Sequence, residues 1–192
     1  GVVLSLMDEV FARVDVNDDG RLMCGAGARL NAVVAAAKQA GIGGLEFMEG
    51  IPGCVGGALR MNAGAMGAMT FDVVESLRTM DAQGDVREWK RAEVEVEYRN
   101  CSLLAEYIAL GAVFCGQLAR PKEVGERMKE FSERRHGNQP KTRSAGCIFK
   151  NPEEYPAGRL VDEMGLEGVS VGGAQVSTEH GNFIINDGTA KE

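Results

Sequence analysis

Apolar and polar positions along this chain follow two periods, and the places where one gives way to the other mark its elements. Residues 2–7 form a short apolar run and residues 10–16 alternate, which predicts strands, with Asn17-Asp18-Asp19-Gly20 as a hairpin turn signal before a strand over residues 21–24. The period then changes: Leu30, Val33, Val34 and Ala37 recur at helical spacing within residues 29–40, and Gly41 supplies a C-terminal stop. Residues 73–80 and 86–89 flank Ala82-Gln83-Gly84-Asp85 as a second hairpin, and residues 107–114 read as another strand. Pro121 opens a polar helix to about residue 135, with Val124, Met128 and Phe131 on its buried side. His136-Gly137-Asn138-Gln139-Pro140 breaks that pattern and is read as a boundary, followed by a short helix over about 158–164 and strands near 174–176 and 183–185. Helices beside a largely antiparallel sheet predict an α+β fold.

One stretch obeys neither period. Between Gly50 and Ala65 five glycines and Pro52 interrupt apolar residues without a repeat. Glycine at this density gives up backbone entropy and packs no side chain, so it suits main chain that lies against something flat or charged. The spacing is neither Gly-x-Gly-x-x-Gly nor that of a phosphate-binding loop with Gly-Lys-Ser/Thr. From these residues alone a tight turn joining two packed elements and a ligand-binding loop stand as equal readings.

Composition narrows the class. With 192 residues the chain is long enough for a sizeable core, as one large or two small domains. Acidic residues outnumber basic ones 28 to 21, and the net charge of -7 gives no electrostatic ground for a nucleic-acid partner. The longest apolar run is too short for a bilayer, and the first residues lack the basic region of a secretory signal, so a cytoplasmic protein with no membrane partner is expected. Five cysteines without close Cys-x-x-Cys spacing argue against a disulfide framework and a zinc site. Cys24, Cys54, Cys101 and Cys115 are expected to be buried packing residues.

Two further runs give the glycine segment a context. Ser144-Ala145-Gly146-Cys147-Ile148-Phe149-Lys150-Asn151-Pro152 follows it at a distance, and Tyr98-Arg99-Asn100 lies between them. Together with Gly44-Leu45-Glu46-Phe47, Ala157-Gly158-Arg159-Leu160-Val161, and Val171 to Ser177 leading to His180 and Asn186, they span nearly the whole chain. In this order the motifs resemble the MurB family, the UDP-N-acetylenolpyruvoylglucosamine reductases, flavoenzymes that complete UDP-N-acetylmuramate for bacterial peptidoglycan. The resemblance implies residues 1–137 as the second FAD-binding subdomain, of the vanillyl-alcohol-oxidase-like type, and 138–192 as most of a substrate-binding domain. The first FAD-binding glycine loop and the C-terminal catalytic glutamate of that family have no match here, so the chain reads as an internal stretch of such a protein.

The resemblance also implies roles. NADPH would reduce FAD, and the reduced flavin would pass hydride to the enolpyruvyl group of a nucleotide-sugar substrate, with no metal and no obligate protein partner. Arg99 would pair with the substrate carboxylate while its charge rises, which suits a planar guanidinium that stays protonated. Cys147 stands where most relatives carry the serine that protonates the carbanion, and a thiol, titrating near pH ~8.5, is intrinsically the better donor. Asn151 and His180 would contact substrate, while Asn138, with Lys141 and Arg143 nearby, replaces a lysine common in relatives. On the FAD side, main-chain N–H groups of Gly53, Gly56 and Gly57 would cradle the diphosphate, Pro52 would stiffen the approach, and Asn62 and Gly64 would lie against the isoalloxazine or ribityl region. No insertion follows Arg99, so the chain resembles the subtype without a substrate-covering tyrosine loop. The competing readings are a non-catalytic binding module of the same fold and another FAD oxidoreductase of the superfamily.

Overall fold

The turn at Asn17-Asp18-Asp19-Gly20 forms as its residues predict: Gly20 adopts φ +85°, and the Asn17 N–H donates to the Arg21 carbonyl at 2.9 Å. It joins the strands Val14–Val16 and Arg21–Gly25, the edge of a five-stranded antiparallel sheet that continues through Ile108–Cys115, Val74–Met80 and Val86–Lys90. Strand alternation sets its inner face. Leu22 lies opposite Phe114, and Phe114 opposite Val74; one pleat away Cys24, Ala112 and Leu77 form a second row, while Met23 points out and is 44% exposed. The computed structural model describes residues 5, 6, 8–152 and 154–190. The run expected as a strand over residues 2–7 lies mostly outside them.

The second, third and fourth helices pack on that face. α1 is Glu9–Ala12, α2 Leu30–Ala40, α3 Val55–Arg60, α4 Pro121–Asn138 and α5 Ala157–Glu163. α2 buries Leu30, Val33, Val34 and Ala37, the four positions picked out by period. It stops at Gly41, whose φ of +66° lets its N–H reach the carbonyls of Ala37 and Lys38, and a Cβ there would strike the Ala119 carbonyl oxygen. In α4, Val124 is buried and Met128 and Phe131 pack against the same core.

Three local expectations are corrected. Residues 10–16 are not one strand, because the Asp8 carboxylate accepts from the Val10 N–H at 3.0 Å and opens α1, leaving only Val14–Val16 to pair. The break at His136-Gly137 is absent: α4 runs on to Asn138, with Arg135 Nε donating to Gln139 Oε1 at 3.1 Å, and Pro140 follows its end. The glycine segment is not wholly irregular, since Val55, Ala58 and Leu59 bury one face of α3 at i, i+3 and i+4 spacing.

The chain divides into two units, residues 1–132 and 133–192, at a point inside α4. The second unit carries a four-stranded antiparallel sheet in the order Ser144–Cys147, Phe183–Asn186, Ala174–Val176, Ser170–Val171, together with α5.

The cysteines separate by environment. Cys24 and Cys101 are buried in the first unit's core, Cys54 is half-buried, and Cys115, expected inside, is exposed at the end of its strand. Desolvation, helped by nearby Asp15, pushes the Cys24 thiol from 9.0 up to about 12. The fold therefore favours the protonated thiol, and that stabilisation is fully present below about pH 9 and is lost as pH rises toward 12. Unfolding free energies from urea titrations across this window are expected to fall less in Cys24→Ala than in the wild type, the slopes differing by up to about 1.4 kcal/mol per pH unit. Parallel wild-type and variant curves would contradict this burial effect.

Candidate functional site

The first unit holds a cavity of about 370 Å³ beside the glycine segment, lined by Gly56 and Gly57 of α3, Cys54 before it, Arg29 and Arg60, with Leu104 and Ile108 as apolar wall. α3 is aimed here by the chain before α2: Val55 N–H donates to the Ala28 carbonyl at 2.9 Å and Gly56 N–H to the Ala26 carbonyl at 2.8 Å. The glycines thereby part company. Gly56 spends its N–H on Ala26, and its missing Cβ makes room for Ala26 at 3.2–3.3 Å, so its reason is packing and its amide is not offered to a diphosphate. A Cβ on Gly53, held at φ +112°, would meet nothing within 4 Å, and one on Gly57 only the Cys54 Sγ at 4.0 Å. These two leave main chain uncovered for a close ligand, and Pro52 beside Gly53 is exposed.

Asn62 and Gly64 serve the fold. Asn62 is 5% exposed; its Nδ2 donates to the Glu97 carbonyl at 3.1 Å and to Met69 Sδ at 3.5 Å, and its Oδ1 accepts from the Phe71 N–H at 3.1 Å. The amide is thus spent on the chain itself and holds this segment in place. Gly64 pairs with Met69 in a small hairpin, where a Cβ would lie 2.6 Å from the Ala68 carbonyl oxygen.

Arg99 occupies the tip of another hairpin, Val96–Glu97 with Asn100–Cys101, in which Glu97 pairs with Asn100 across Tyr98-Arg99. It is half-buried and adopts φ +56°, one of three non-glycine residues with positive φ among the described residues. An arginine pays strain to sit there, so the surroundings must over-determine it.

In the second unit Cys147, Asn151 and His180 line one cleft of about 300 Å³ with Arg159, Asn182 and the start of α5. Each is held by a different device. Cys147 ends the strand Ser144–Cys147 opposite Phe183, after Gly146 at φ +78°. The His180 ring meets Phe183 edge-on with centroids 4.9 Å apart, and its Nδ1 accepts from the Asn182 N–H at 3.1 Å. That contact leaves the proton of the neutral imidazole on Nε2. α5 packs so closely that a Cβ on Gly158 would lie 2.8 Å from His180 Cε1. Asn151 Oδ1 accepts from the Ala157 N–H at 3.1 Å, capping the entry to α5. Glu163, at the far end of α5, accepts from Tyr155 and Arg159, and these bonds hold its carboxyl below the usual range.

Asn182, which sequence reasoning missed, organises this unit. It is 2% exposed, its Oδ1 accepts from the Phe149 N–H at 2.8 Å, and its Nδ2 donates to the Phe149 carbonyl at 3.0 Å. One amide thus extends the sheet pairing past Cys147, and nothing in Gly181-Asn182-Phe183 signals it. Asn182→Leu leaves both Phe149 groups without this partner and is expected to cost about 1–3 kcal/mol. Calorimetric unfolding would measure it, and an unchanged melting temperature would contradict the clamp. Arg60 was also missed, although it is the only charged residue between Gly50 and Ala65.

Known protein families match the chain on both sides of α4. The sequence model for the C-terminal domain of UDP-N-acetylenolpyruvoylglucosamine reductase matches residues 139–192, and one described as FAD binding domain matches residues 1–90. UDP-N-acetylenolpyruvoylglucosamine reductases of Paramagnetospirillum magneticum and Pelobacter propionicus are 41% and 45% identical over 99% of this chain. The crystal structure of MurB from Thermus caldophilus superposes with a TM-score of 0.83 at 40% identity, covering 92% of this chain and 65% of that one. The chain belongs to the UDP-N-acetylenolpyruvoylglucosamine reductase family. It spans 62% and 64% of the length of the two curated relatives. The α+β architecture is that of the family. Among the described residues no helix is long and apolar enough to cross a membrane.

Proposed function

We propose that the protein containing this chain is a cytoplasmic, NADPH-dependent, FAD-mediated reductase that converts UDP-N-acetylglucosamine enolpyruvate to UDP-N-acetylmuramate for peptidoglycan. The observation that carries this reading is the convergence of Cys147, Asn151 and His180 on one cleft in a chain of this family. Residues 133–192 would supply the substrate side and residues 1–132 the cofactor side.

The residues of the first unit fit FAD in part. Gly53 and Gly57, with no Cβ to hold a ligand off, and Arg29 in the cavity wall would hold the diphosphate, with Pro52 limiting the motion of the approach. Gly56, Asn62 and Gly64 would support the same segment from within. Bound FAD supplies the hydride route from NADPH to the terminal carbon of the enolpyruvyl group. Net addition across that double bond also requires a proton at the carbon next to the carboxylate. Arg99 would neutralise the carboxylate as negative charge delocalises into it, and Cys147 would deliver the proton from Sγ. The Nε2–H of His180 points to a donor role toward a substrate oxygen, with its tautomer kept by the Asn182 N–H.

The test is NADPH oxidation by the full-length protein with and without UDP-N-acetylglucosamine enolpyruvate, with mass spectrometry of the product. Substrate-dependent oxidation giving a product two hydrogens heavier is expected. Flavin reduction without transfer to this substrate would overturn the reading.

A further inference from the structure

The glycine segment ends in Arg60, which also lines the cavity, and Asn62, and both bond to the same hairpin. Arg60, the last residue of α3, donates from a guanidinium nitrogen to Asn100 Oδ1 at 2.8 Å, with the Cys101 carbonyl oxygen at 3.5 Å. Asn62, two residues on, donates from Nδ2 to the Glu97 carbonyl at 3.1 Å. Glu97 and Asn100 are the pair that closes the turn carrying Arg99. One contact therefore holds each strand at the base of that turn, and both come from the segment whose front forms the cavity wall.

The backbone adds an independent sign. Asn62 and Arg99 are themselves at positive φ, +38° and +56°, and a single hydrogen bond through Glu97 ties one strained position to the neighbourhood of the other. Such conformations persist where surrounding contacts over-determine them. Asn62 is anchored in turn by the Phe71 N–H, and Cys101, beside Asn100, is fully buried in the core. The brace thus runs from the core through Arg60 and Asn62 to the tip of the hairpin.

The geometry points to Arg60 and Asn62 as positioning residues for Arg99, which make the cofactor-side segment and the carboxylate-binding arginine one rigid piece. This rests on the role of Arg99 given under Proposed function. Its consequence is selective: loosening the brace misplaces the guanidinium without removing it, so the substrate step suffers while reduction by NADPH does not.

The experiment uses the full-length enzyme loaded with FAD and the variants Asn100→Leu, Arg60→Met, their double, Asn100→Asp, and Arg99→Lys. Stopped-flow absorbance follows flavin reduction by NADPH and reoxidation by UDP-N-acetylglucosamine enolpyruvate. Amide hydrogen exchange follows the peptide covering residues 96–101. Asn100→Leu is expected to slow reoxidation by about 10- to 100-fold and to speed exchange in that peptide, while leaving flavin reduction within about 2-fold of wild type; Arg60→Met, which also alters the cavity wall, is expected to match it in reoxidation and exchange. The double variant should be no slower than the slower single, because both remove one contact. Asn100→Asp keeps an acceptor for Arg60 and should stay near wild type. If Arg99→Lys slows reoxidation but Asn100→Leu and Arg60→Met do not, the brace is overturned and the role of Arg99 stands. If Asn100→Leu slows both half-reactions alike, or loses flavin, the contact serves the cofactor site and the proposal fails. If Arg99→Lys itself leaves reoxidation unchanged, the reading of Arg99 falls and takes the brace with it.

Discussion

Cys147→Ala in the full-length enzyme is expected to leave flavin reduction by NADPH intact and to cut reduction of the enolpyruvyl substrate by about 10²–10⁴-fold, the usual range for a lost general acid. Cys147→Ser should restore much of that loss, because a hydroxyl keeps the position and the proton although it is the weaker acid. Position is what the second unit provides. Cys147 lies opposite Phe183 at the end of a strand, in the cleft it shares with His180 and Asn151, and the Asn182 clamp holds the chain just beyond it. The thiol also brings a liability. Peroxide should inactivate the wild type, with substrate protecting, and should spare the serine variant. Wild-type turnover in Cys147→Ala would reduce Cys147 to a packing residue and remove the proton-donor role.

Arg99→Lys should slow the substrate step by about 10²–10³-fold, the scale seen when one preorganised donor to a developing negative charge is removed, with flavin reduction by NADPH near the wild-type rate. Lysine keeps the positive charge but not the planar fork that can follow a carboxylate as its charge grows. A second reason lies in the backbone. Position 99 sits at φ +56°, so the turn presents its side chain from a fixed and uncommon direction, and a shorter point charge projected from there cannot adjust by moving the main chain. Stopped-flow traces in which both half-reactions slow equally would count against a role confined to the carboxylate.

A double variant is expected to show that the two effects are coupled. Arg99 and Cys147 belong to different units and would act on different atoms of the substrate, one on the carboxylate and one on the adjacent carbon. Under the proposed function both would serve a single transition state, so their combined loss is expected to fall short of the product of the single losses.

Much of the framework could be read from local patterns, because those patterns are short-range physics. Leu30, Val33, Val34 and Ala37 share one helical face whatever surrounds them, and Gly41 ends the helix because only a residue at ease with positive φ can close it there. The hairpin at Asn17 to Gly20 and the strands around Ala82 to Asp85 follow for the same reason. The motifs around Arg99 and Cys147 were visible as ordered runs, as was the family they share.

What the chain's local pattern could not decide is where each polar group's partner lies. Gly56 and Gly57 are neighbours of one residue type, yet one fills its N–H with the Ala26 carbonyl and the other faces open space. Asn62 looked available for a ligand until the contact to Glu97, 35 residues away, took its amide. Asn182 carries the second unit's strand pairing past Cys147 through Phe149, 33 residues distant, and no local signal marks it. Cys115 is exposed because it alternates with the inward-facing Phe114 on its strand. Helix periods, caps and turns depend on residues a few positions apart, so the sequence by itself determined most of the elements and the family of this protein. Hydrogen bonds and burial between distant segments depend on how those elements pack, so only the tertiary structure separated the residues left open in a cleft from those that hold the fold.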